Sequence, residues 1–261
     1  MRRSWQLSTV AGVVAAAGIA AVLAPAVTRG PTFHLYADRR AWVGIPNAGD
    51  VLSNLPFIAA GAWGLVRARR ARNAGLAVAV FLAVVGVGFG SGAYHVAPSD
   101  AALVFDWAPI VLALAFLAAL VVADRLDPRA GRIAAVAFPI VALASVAAWY
   151  AGGGTGATSG ATTSAATVTD AGDMRWYVIT QATLVAVVAL GALAPAAPAA
   201  PATLHRGWIL LGVAGFVAAR GLHAVDRALL DAVGVSGHSA KHVLLGLSAA
   251  CLVPSVHVER G

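Results

Sequence analysis

The chain has 261 residues, of which 60% are hydrophobic and only 11% are charged. With a mean hydropathy of +0.82, this composition excludes an ordinary soluble globular domain and indicates an integral membrane protein. The formal net charge of +7 does not indicate a nucleic-acid partner, because the arginines cluster between apolar runs, as topology signals of membrane proteins do.

Apolar runs of about 20 residues, the length that spans a bilayer as a helix, recur along the whole chain. They cover residues 5–27, 50–66, 75–95, 101–123, 131–150, 175–194, 207–224 and 238–256. We therefore predict an all-α membrane protein, with a seven-helix transmembrane bundle over residues 50–256 and one extra hydrophobic helix at the amino terminus. An outer polar segment, residues 31–49, precedes the bundle, and a short tail, residues 257–261, follows it.

The first apolar run has two interpretations. Arg2 and Arg3 precede a long Ala/Val stretch that ends in "LAPAV", which suits a secretory signal with a small-residue cleavage site. The run is long for the apolar part of a signal, which favours a retained membrane anchor within residues 1–30.

The basic residues predict the topology. If the amino terminus is cytoplasmic and every run spans, eleven of the eighteen Lys and Arg residues lie on the inner side, with "RARRAR" at 67–72 as the strongest signal. Both termini are then inside. The Gly/Thr/Ser-rich stretch 151–170 is then a flexible outer loop and the Pro/Ala-rich stretch 194–203 an inner connector, and neither shows any chemistry.

The outer segment is unusually polar where it enters the second run. Its polar side chains suit either of two roles, capping of the helix amino terminus or oxygen ligation of a hard cation such as Ca²⁺. These residues are Asp38, Asn47, Asp50, Ser53 and Asn54.

The stretch "GVGFGSG", residues 86–92, resembles a phosphate-binding loop but lacks a following lysine and lies inside a spanning run. We expect its small residues to let neighbouring helices approach closely.

Ionisable residues inside membrane segments are costly, so each needs a partner. His95 closes the third run, Asp106 opens the fourth, and His238 with His242 opens the eighth, so all four lie near the outer ends of their predicted helices. Ser91 lies one turn deeper than His95 on the same face. The His238/His242 pair alone also suits a structural or proton-relay role, but a third histidine and a carboxylate at matching depth favour a zinc site with one open position.

The other charged and imidazole side chains are expected at the surface. His34, His205, His223 and His257 are predicted to face solvent or the membrane interface. Arg220, Asp226 and Arg227 are expected to form ion pairs, and Lys241 to extend toward the surface. The single cysteine, Cys251, excludes an internal disulfide and is expected to be a small buried side chain.

Three motifs together resemble the alkaline ceramidase family: "NAGDVLSNLPF", "GSGAYH" followed eleven residues after its histidine by Asp106, and "SGHSAKHVLLGL". The match covers roughly residues 45–256. That family belongs to a superfamily of seven-helix membrane hydrolases that includes the progestin and adipoQ receptors. The extra amino-terminal run resembles a bacterial subgroup, which implies the bacterial inner membrane with the active site near its outer face.

The resemblance implies that His95, His238 and His242 bind Zn²⁺, and that Ser91 and Asp106 act in catalysis beside the metal. The implied enzyme is a hydrolase of carbon–nitrogen bonds in linear amides, which cleaves ceramide or a similar lipid amide to a fatty acid and a sphingoid base or amine. Its partners are membrane lipids and the lipid substrate, with no protein partner evident. Family members with a calcium site carry an acidic stretch that is weaker here, since two arginines interrupt it.

A second hypothesis is a receptor-like or metal-sensing seven-helix protein without turnover. A metal or proton transporter would need ionisable residues throughout the membrane depth, whereas those of this chain gather near one side.

Overall fold

The computed structural model of the chain describes residues 2–30, 32–153, 172–195 and 204–256. Because lipid offers no hydrogen-bond partners, a spanning segment must satisfy its own backbone groups, and the apolar runs accordingly fold as helices. Within the described ranges the fold is an all-α membrane bundle with isolated bridges but no β-strand. The predicted fold class is confirmed.

The described residues form eleven α-helices. They are α1 (Arg2–Leu23), α2 (Ala48–Leu52), α3 (Leu55–Ala68), α4 (Ala74–Val96), α5 (Asp100–Val121), α6 (Pro128–Ala151), α7 (Arg175–Leu193), α8 (Arg206–Ala224), α9 (Asp226–Val233), α10 (Gly237–Ala250) and α11 (Leu252–Ser255). A π-helical turn, Val122–Leu126, continues α5.

Seven helical segments among the described residues are long and apolar enough to cross a membrane, which makes this a multi-pass membrane protein. They correspond to the first seven predicted runs. The eighth run differs, because it divides at Cys251 into α10 of 14 residues and α11 of 4 residues. Pro254 explains the break, since it has no backbone N–H to continue the ladder of α10.

The second predicted run is also divided, into α2 and α3. Pro56 lies in the first turn of α3 and cannot donate to the preceding turn. Ser53 and Asn54 lie in this break, and both of their side chains are buried in the bundle interior.

The two ends of the bundle are joined by different contacts. At one end, called here the histidine end, Arg29 pairs with Asp100 and the Arg40 guanidinium donates to the Gly234 carbonyl at 2.7 Å. At the opposite end, called here the arginine end, Arg72 pairs with Asp124 at 3.0 Å. Buried Arg125 donates there to the carbonyls of Gly191, Ala194 and Leu204. The "RARRAR" run therefore lies at the end away from His95.

The "GVGFGSG" stretch packs α4 against its neighbours, as predicted. A Cβ on Gly88 would lie 2.5 Å from Ile58, and one on Gly90 would lie 2.0 Å from the Phe105 carbonyl oxygen. Only glycine allows α3 and α5 to approach α4 this closely.

Some predictions concern residues outside the described ranges. They are the predictions for most of the 151–170 loop, for most of the 194–203 connector and for the 257–261 tail with His257. Of Arg2 and Arg3 only the backbone is described. Cys251 is half-buried, so the prediction of a buried thiol is wrong.

Candidate metal centre

Three imidazoles meet at the histidine end. His95 comes from the last turn of α4, and His238 and His242 come from successive turns of α10. All three are buried, and one ring nitrogen from each lies within 4.8 Å of the other two. The predicted convergence is therefore present, and the three histidines can hold a metal ion.

The start of α10 is placed by local capping and by a close approach to α8. The Ser236 hydroxyl accepts from the Ser239 amide at 2.9 Å and so caps α10. A Cβ on Gly237 would lie 2.1 Å from the Leu222 carbonyl oxygen. Glycine at this position therefore lets His238 reach the end of α8.

His242 is oriented by the break between α2 and α3. Its Nδ1 lies 3.0 Å from the Ser53 hydroxyl, which donates its own proton to the Asp50 carbonyl at 2.9 Å. Ser53 is thus left to accept from Nδ1–H of His242. This tautomer leaves Nε2 with a free lone pair, as a metal ligand requires.

The other two rings face each other directly. Nε2 of His95 lies 3.2 Å from Nε2 of His238. Tetrahedral coordination with metal–nitrogen bonds of about 2.0–2.1 Å separates two ligand nitrogens by about 3.3 Å, so the spacing fits a shared ion. Three imidazole nitrogens suit zinc, copper, iron or nickel, and the geometry does not select among them.

The second ring nitrogens of these two histidines differ in their surroundings. Nδ1 of His238 lies 3.1 Å from Nδ1 of His223. Nδ1 of His95 is buried, and no described residue hydrogen-bonds to it.

Asp106 and Ser91 lie beside the histidines, and both are buried. Ser91 lies close enough to the Asp106 carboxylate for its hydroxyl to act on it. The Oδ1 atom of Asp106 is buried without a hydrogen-bond partner among the described residues. One carboxylate oxygen is therefore free to accept a proton from a bound molecule.

A largely apolar cavity opens from this group into the bundle. Ser91, Asp106 and His242 line its polar part, and the apolar wall continues through Val84, Leu114 and Phe216 to Leu252. The lining runs from Lys241 to Leu252 along the last two helices, eleven residues or about 16 Å at 1.5 Å per residue. The cavity thus suits a long apolar chain with a polar group at the histidine end.

The outer segment covers the histidines from the other side. The Tyr36 ring lies 4.7 Å from the His95 ring and 4.1 Å from the His238 ring, centroid to centroid. Its hydroxyl lies 2.8 Å from the Tyr94 hydroxyl, which is also 2.8 Å from Nδ1 of His34. Burial of Tyr36 raises the pKa of its phenol above the usual value, so it stays protonated.

His34 links the Tyr36–Tyr94 contact to the ion pair between Arg29 and Asp100. Its Nε2 lies 2.8 Å from the Asp100 carboxylate, which also binds Arg29. His34 was predicted to face solvent or the membrane interface; it is partly exposed, and both of its ring nitrogens have partners within the protein. Sequence analysis missed Tyr36 altogether, although the aromatic "FHLY" stretch in a polar segment was a usable signal.

The polar residues of the outer segment have roles other than the predicted ones. Neither Asn47 nor Asn54 makes a side-chain cap, although each precedes a helix. Asn47 donates to the His95 carbonyl at 2.8 Å, and Asp50 accepts from Ser239 at 2.6 Å. The capping prediction is wrong, because these side chains support the histidines instead.

Asp38 forms an ion pair with Arg40 of the same outer segment. Its carboxylate accepts from the Arg40 guanidinium at 2.7 Å, and this hydrogen bond holds the pKa of Asp38 below its usual value. Across the described ranges, the three histidines are the only group of His, Cys, Asp or Glu side chains found that can hold a metal. The oxygen ligands predicted in the outer segment do not form such a group among the described residues.

The remaining predictions have mixed outcomes. His205 and His223 are exposed, as expected, although His223 also contacts His238. Lys241 does not extend to the surface, because its Nζ lies 3.3 Å from Nε2 of His238. Arg220, Asp226 and Arg227 do not pair with one another in the structure. Arg227 pairs with Asp231 at 3.0 Å, and Asp226 accepts from the His238 amide at 2.9 Å.

A comparison of the sequence with known protein-family models found no match. A comparison with curated proteins also found no similar protein.

Proposed function

We propose that the chain is a zinc-dependent membrane amidase that hydrolyses ceramide or a similar lipid amide to a fatty acid and an amine. One observation carries the proposal: three buried imidazoles meet where Asp106 and Ser91 line the polar end of an apolar cavity. The resemblance of the three sequence motifs to the alkaline ceramidase family supports the same conclusion.

The ligand set fits zinc. Neutral imidazole is a preferred zinc ligand, and the Ser53 contact holds His242 in the tautomer that ligation needs. When bound, zinc supplies the positive charge that activates water and polarises a carbonyl group.

The protein groups supply proton transfer and orientation. The free Oδ1 of Asp106 takes a proton from the attacking water as the water oxygen bonds to the amide carbon. Asp106 then delivers this proton to the amide nitrogen as the C–N bond breaks, which yields a carboxylic acid and a primary amine. The Ser91 hydroxyl, which lines the cavity next to Asp106, orients the carboxylate and the attacking water.

The apolar cavity binds the acyl chain. Its wall is formed by α3, α4, α5, α7, α8, α10 and α11, whose side chains exclude water from the chain. Lipid therefore reaches the polar group without leaving the hydrocarbon region. We further propose that the protein resides in a bacterial inner membrane with the histidine end outside, since "RARRAR" lies at the opposite end.

The test combines metal analysis with turnover. Detergent-purified protein should contain one zinc per chain and release fatty acid from a fluorescent ceramide. His95→Ala and His242→Ala should lose both, whereas Asp106→Asn should keep zinc and lose about 10²- to 10⁴-fold in rate, the usual contribution of a general acid–base group. His205→Ala, at an exposed position, is the matched control.

Three results would contradict the proposal. Full activity of the Asp106→Asn variant would exclude Asp106 as the general base. Active wild-type protein that contains no zinc would exclude zinc as the metal. Zinc binding without hydrolysis of any lipid amide would favour a metal-sensing or receptor-like protein.

A further inference from the structure

We propose that the substrate carries an anionic group, a carboxylate or phosphate, on its amine half, and that Arg220 and Lys241 bind this group. The inference rests on the proposed amidase function and narrows its substrate class. The relevant observation is a pair of opposed cations in the wall of the apolar cavity.

The antiparallel register of α8 and α10 places the two cations opposite each other. His223 of α8 touches His238 of α10, with 3.1 Å between their Nδ1 atoms. Arg220 lies three residues before His223, and Lys241 lies three residues after His238. Each is one helical turn from the histidine contact, on the same face as its histidine. Farther along, a Cβ on Gly215 would meet Ser248 Oγ at 2.3 Å, which fits the same register.

The charge of the cavity is unbalanced in favour of cations. Arg220, Lys241 and Asp106 are its charged lining residues, which gives two positive charges and one negative charge. Within the part of the chain that the structure describes, neither cation forms an ion pair with a carboxylate. The ammonium group of Lys241 lies 3.3 Å from Nε2 of His238, and the Asp106, Asp50 and Asp226 carboxylates act on it from beyond ion-pair distance.

Arg220 and Lys241 repel each other across the cavity, and Lys241 is also largely shielded from solvent. Charged side chains at membrane depth are retained where they pair with opposite charge, and like charges repel. A metal ion at the three histidines would add further positive charge beside Lys241. An anionic group on the bound lipid supplies the missing negative charge, and a guanidinium binds carboxylate or phosphate with two parallel hydrogen bonds.

The position of the cations decides which half of the lipid is anionic. In the proposed complex the acyl chain packs against the apolar wall of the cavity, and the amide group lies at the three histidines. Arg220 is exposed and lies on the rim of the cavity, so it faces the part of the substrate that is outside the apolar wall. The anion therefore lies on the amine side, a few bonds from the amide, as in an N-acyl amino acid. Ceramide is neutral, so we expect it to be hydrolysed with a higher KM than an amide that carries such a group.

Binding of ligands that cannot be hydrolysed gives a direct test. Dodecyloxyacetate, 2-(dodecyloxy)ethyl phosphate and neutral 2-dodecyloxyethanol share one apolar chain and differ in charge. We expect the detergent-purified protein to bind at least one anionic ether about tenfold more tightly than the alcohol, the effect of one hydrogen bond to a charged group. Arg220→Gln should remove that preference, and Lys241→Met should weaken it. Arg227→Gln, which removes an exposed cation on neighbouring α9, should retain it.

Hydrolysis separates this inference from the proposed function. Arg220→Gln should lose about tenfold more activity toward N-dodecanoylglycine than toward N-dodecanoylethanolamine, through KM, with zinc content unchanged. Unchanged ether binding in Arg220→Gln, or equal losses for both amides, would overturn the anion site. If Arg220→Gln weakens the binding of dodecanoate by the same factor as the binding of the anionic ether, the cations bind the carboxylate of the fatty-acid product. That result would also overturn the proposed anion site on the amine half. Intact ether selectivity without any amide hydrolysis would overturn the amidase proposal and leave the anion site standing.

Discussion

The Ser53 hydroxyl lies 3.0 Å from Nδ1 of His242, although 189 residues separate the two in sequence. Because Ser53 donates its own proton to the Asp50 carbonyl, it accepts from Nδ1–H of His242 and leaves the Nε2 lone pair free. A side chain in the break between two short helices thus sets the tautomer of a candidate ligand on the last helix pair.

Ser53→Ala should weaken metal binding. Loss of the hydrogen bond frees the His242 ring to rotate and change tautomer, and partners of this kind are worth about 10- to 100-fold in metal affinity. Competition with a chromophoric chelator measures the effect. Ser145→Ala is the control, since Ser145 is also buried but donates only to the Ala142 carbonyl. Equal zinc affinity of Ser53→Ala and wild type would contradict the proposed role.

Tyr36→Phe should loosen the outer segment over the histidines. The substitution keeps the ring against His95 and His238 but removes the hydroxyl contact to Tyr94, a loss of about 1 kcal/mol. Faster amide hydrogen exchange in residues 32–40, with the helices unchanged, is the expected result. Tyr150→Phe, on the half-buried last turn of α6, is the control. Unchanged exchange in the Tyr36 variant would show that the hydroxyl contact does not hold the segment.

Gly90→Ala should destabilise the bundle, whereas Gly92→Ala should not. A Cβ at position 90 would lie 2.0 Å from the Phe105 carbonyl, and one at 92 meets only the Val51 carbonyl at 3.9 Å. Overpacking of this kind costs about 1–3 kcal/mol, while alanine in an open helical position is favoured by up to about 1 kcal/mol. The melting temperatures of the two variants provide the comparison. Similar values would contradict the close approach of α4 and α5.

Asp38 should give the outer segment an acid-sensitive contribution to stability. The Arg40 hydrogen bond lowers the pKa of Asp38 in the folded protein, so the contribution is full above the unfolded value of about 3.9 and is lost as pH falls below it. The difference in melting temperature between wild type and Asp38→Asn should therefore shrink between pH 5 and pH 3. Arg40 is largely exposed, so the effect should be small and weaken with salt. A difference that grows as pH falls would reverse the assignment.

The histidine centre shows how far sequence reasoning reached. Its four-residue spacing put His238 and His242 on one helix face, and membrane depth selected His95 and Asp106 as their neighbours. The same reasoning offered helix capping or cation ligation for Asn47 and Asn54, and predicted Lys241 at the surface. These errors share one cause, because a local pattern does not show what packs around a side chain. Asn47 contacts His95 and Asn54 approaches His242, whereas Lys241 turns into the cavity.

What the sequence alone determined is the set of helices and the depth of their polar residues. Both follow from local chemistry, since apolar runs in lipid must satisfy their own backbone and polar side chains stay near the ends. Only the tertiary structure decided the contact of Ser53 with His242 and the contacts of Tyr36 with two histidines. It also decided that Arg220 and Lys241 line the same cavity. These features depend on the rotation and register of helices, which are set by packing among residues far apart in the chain.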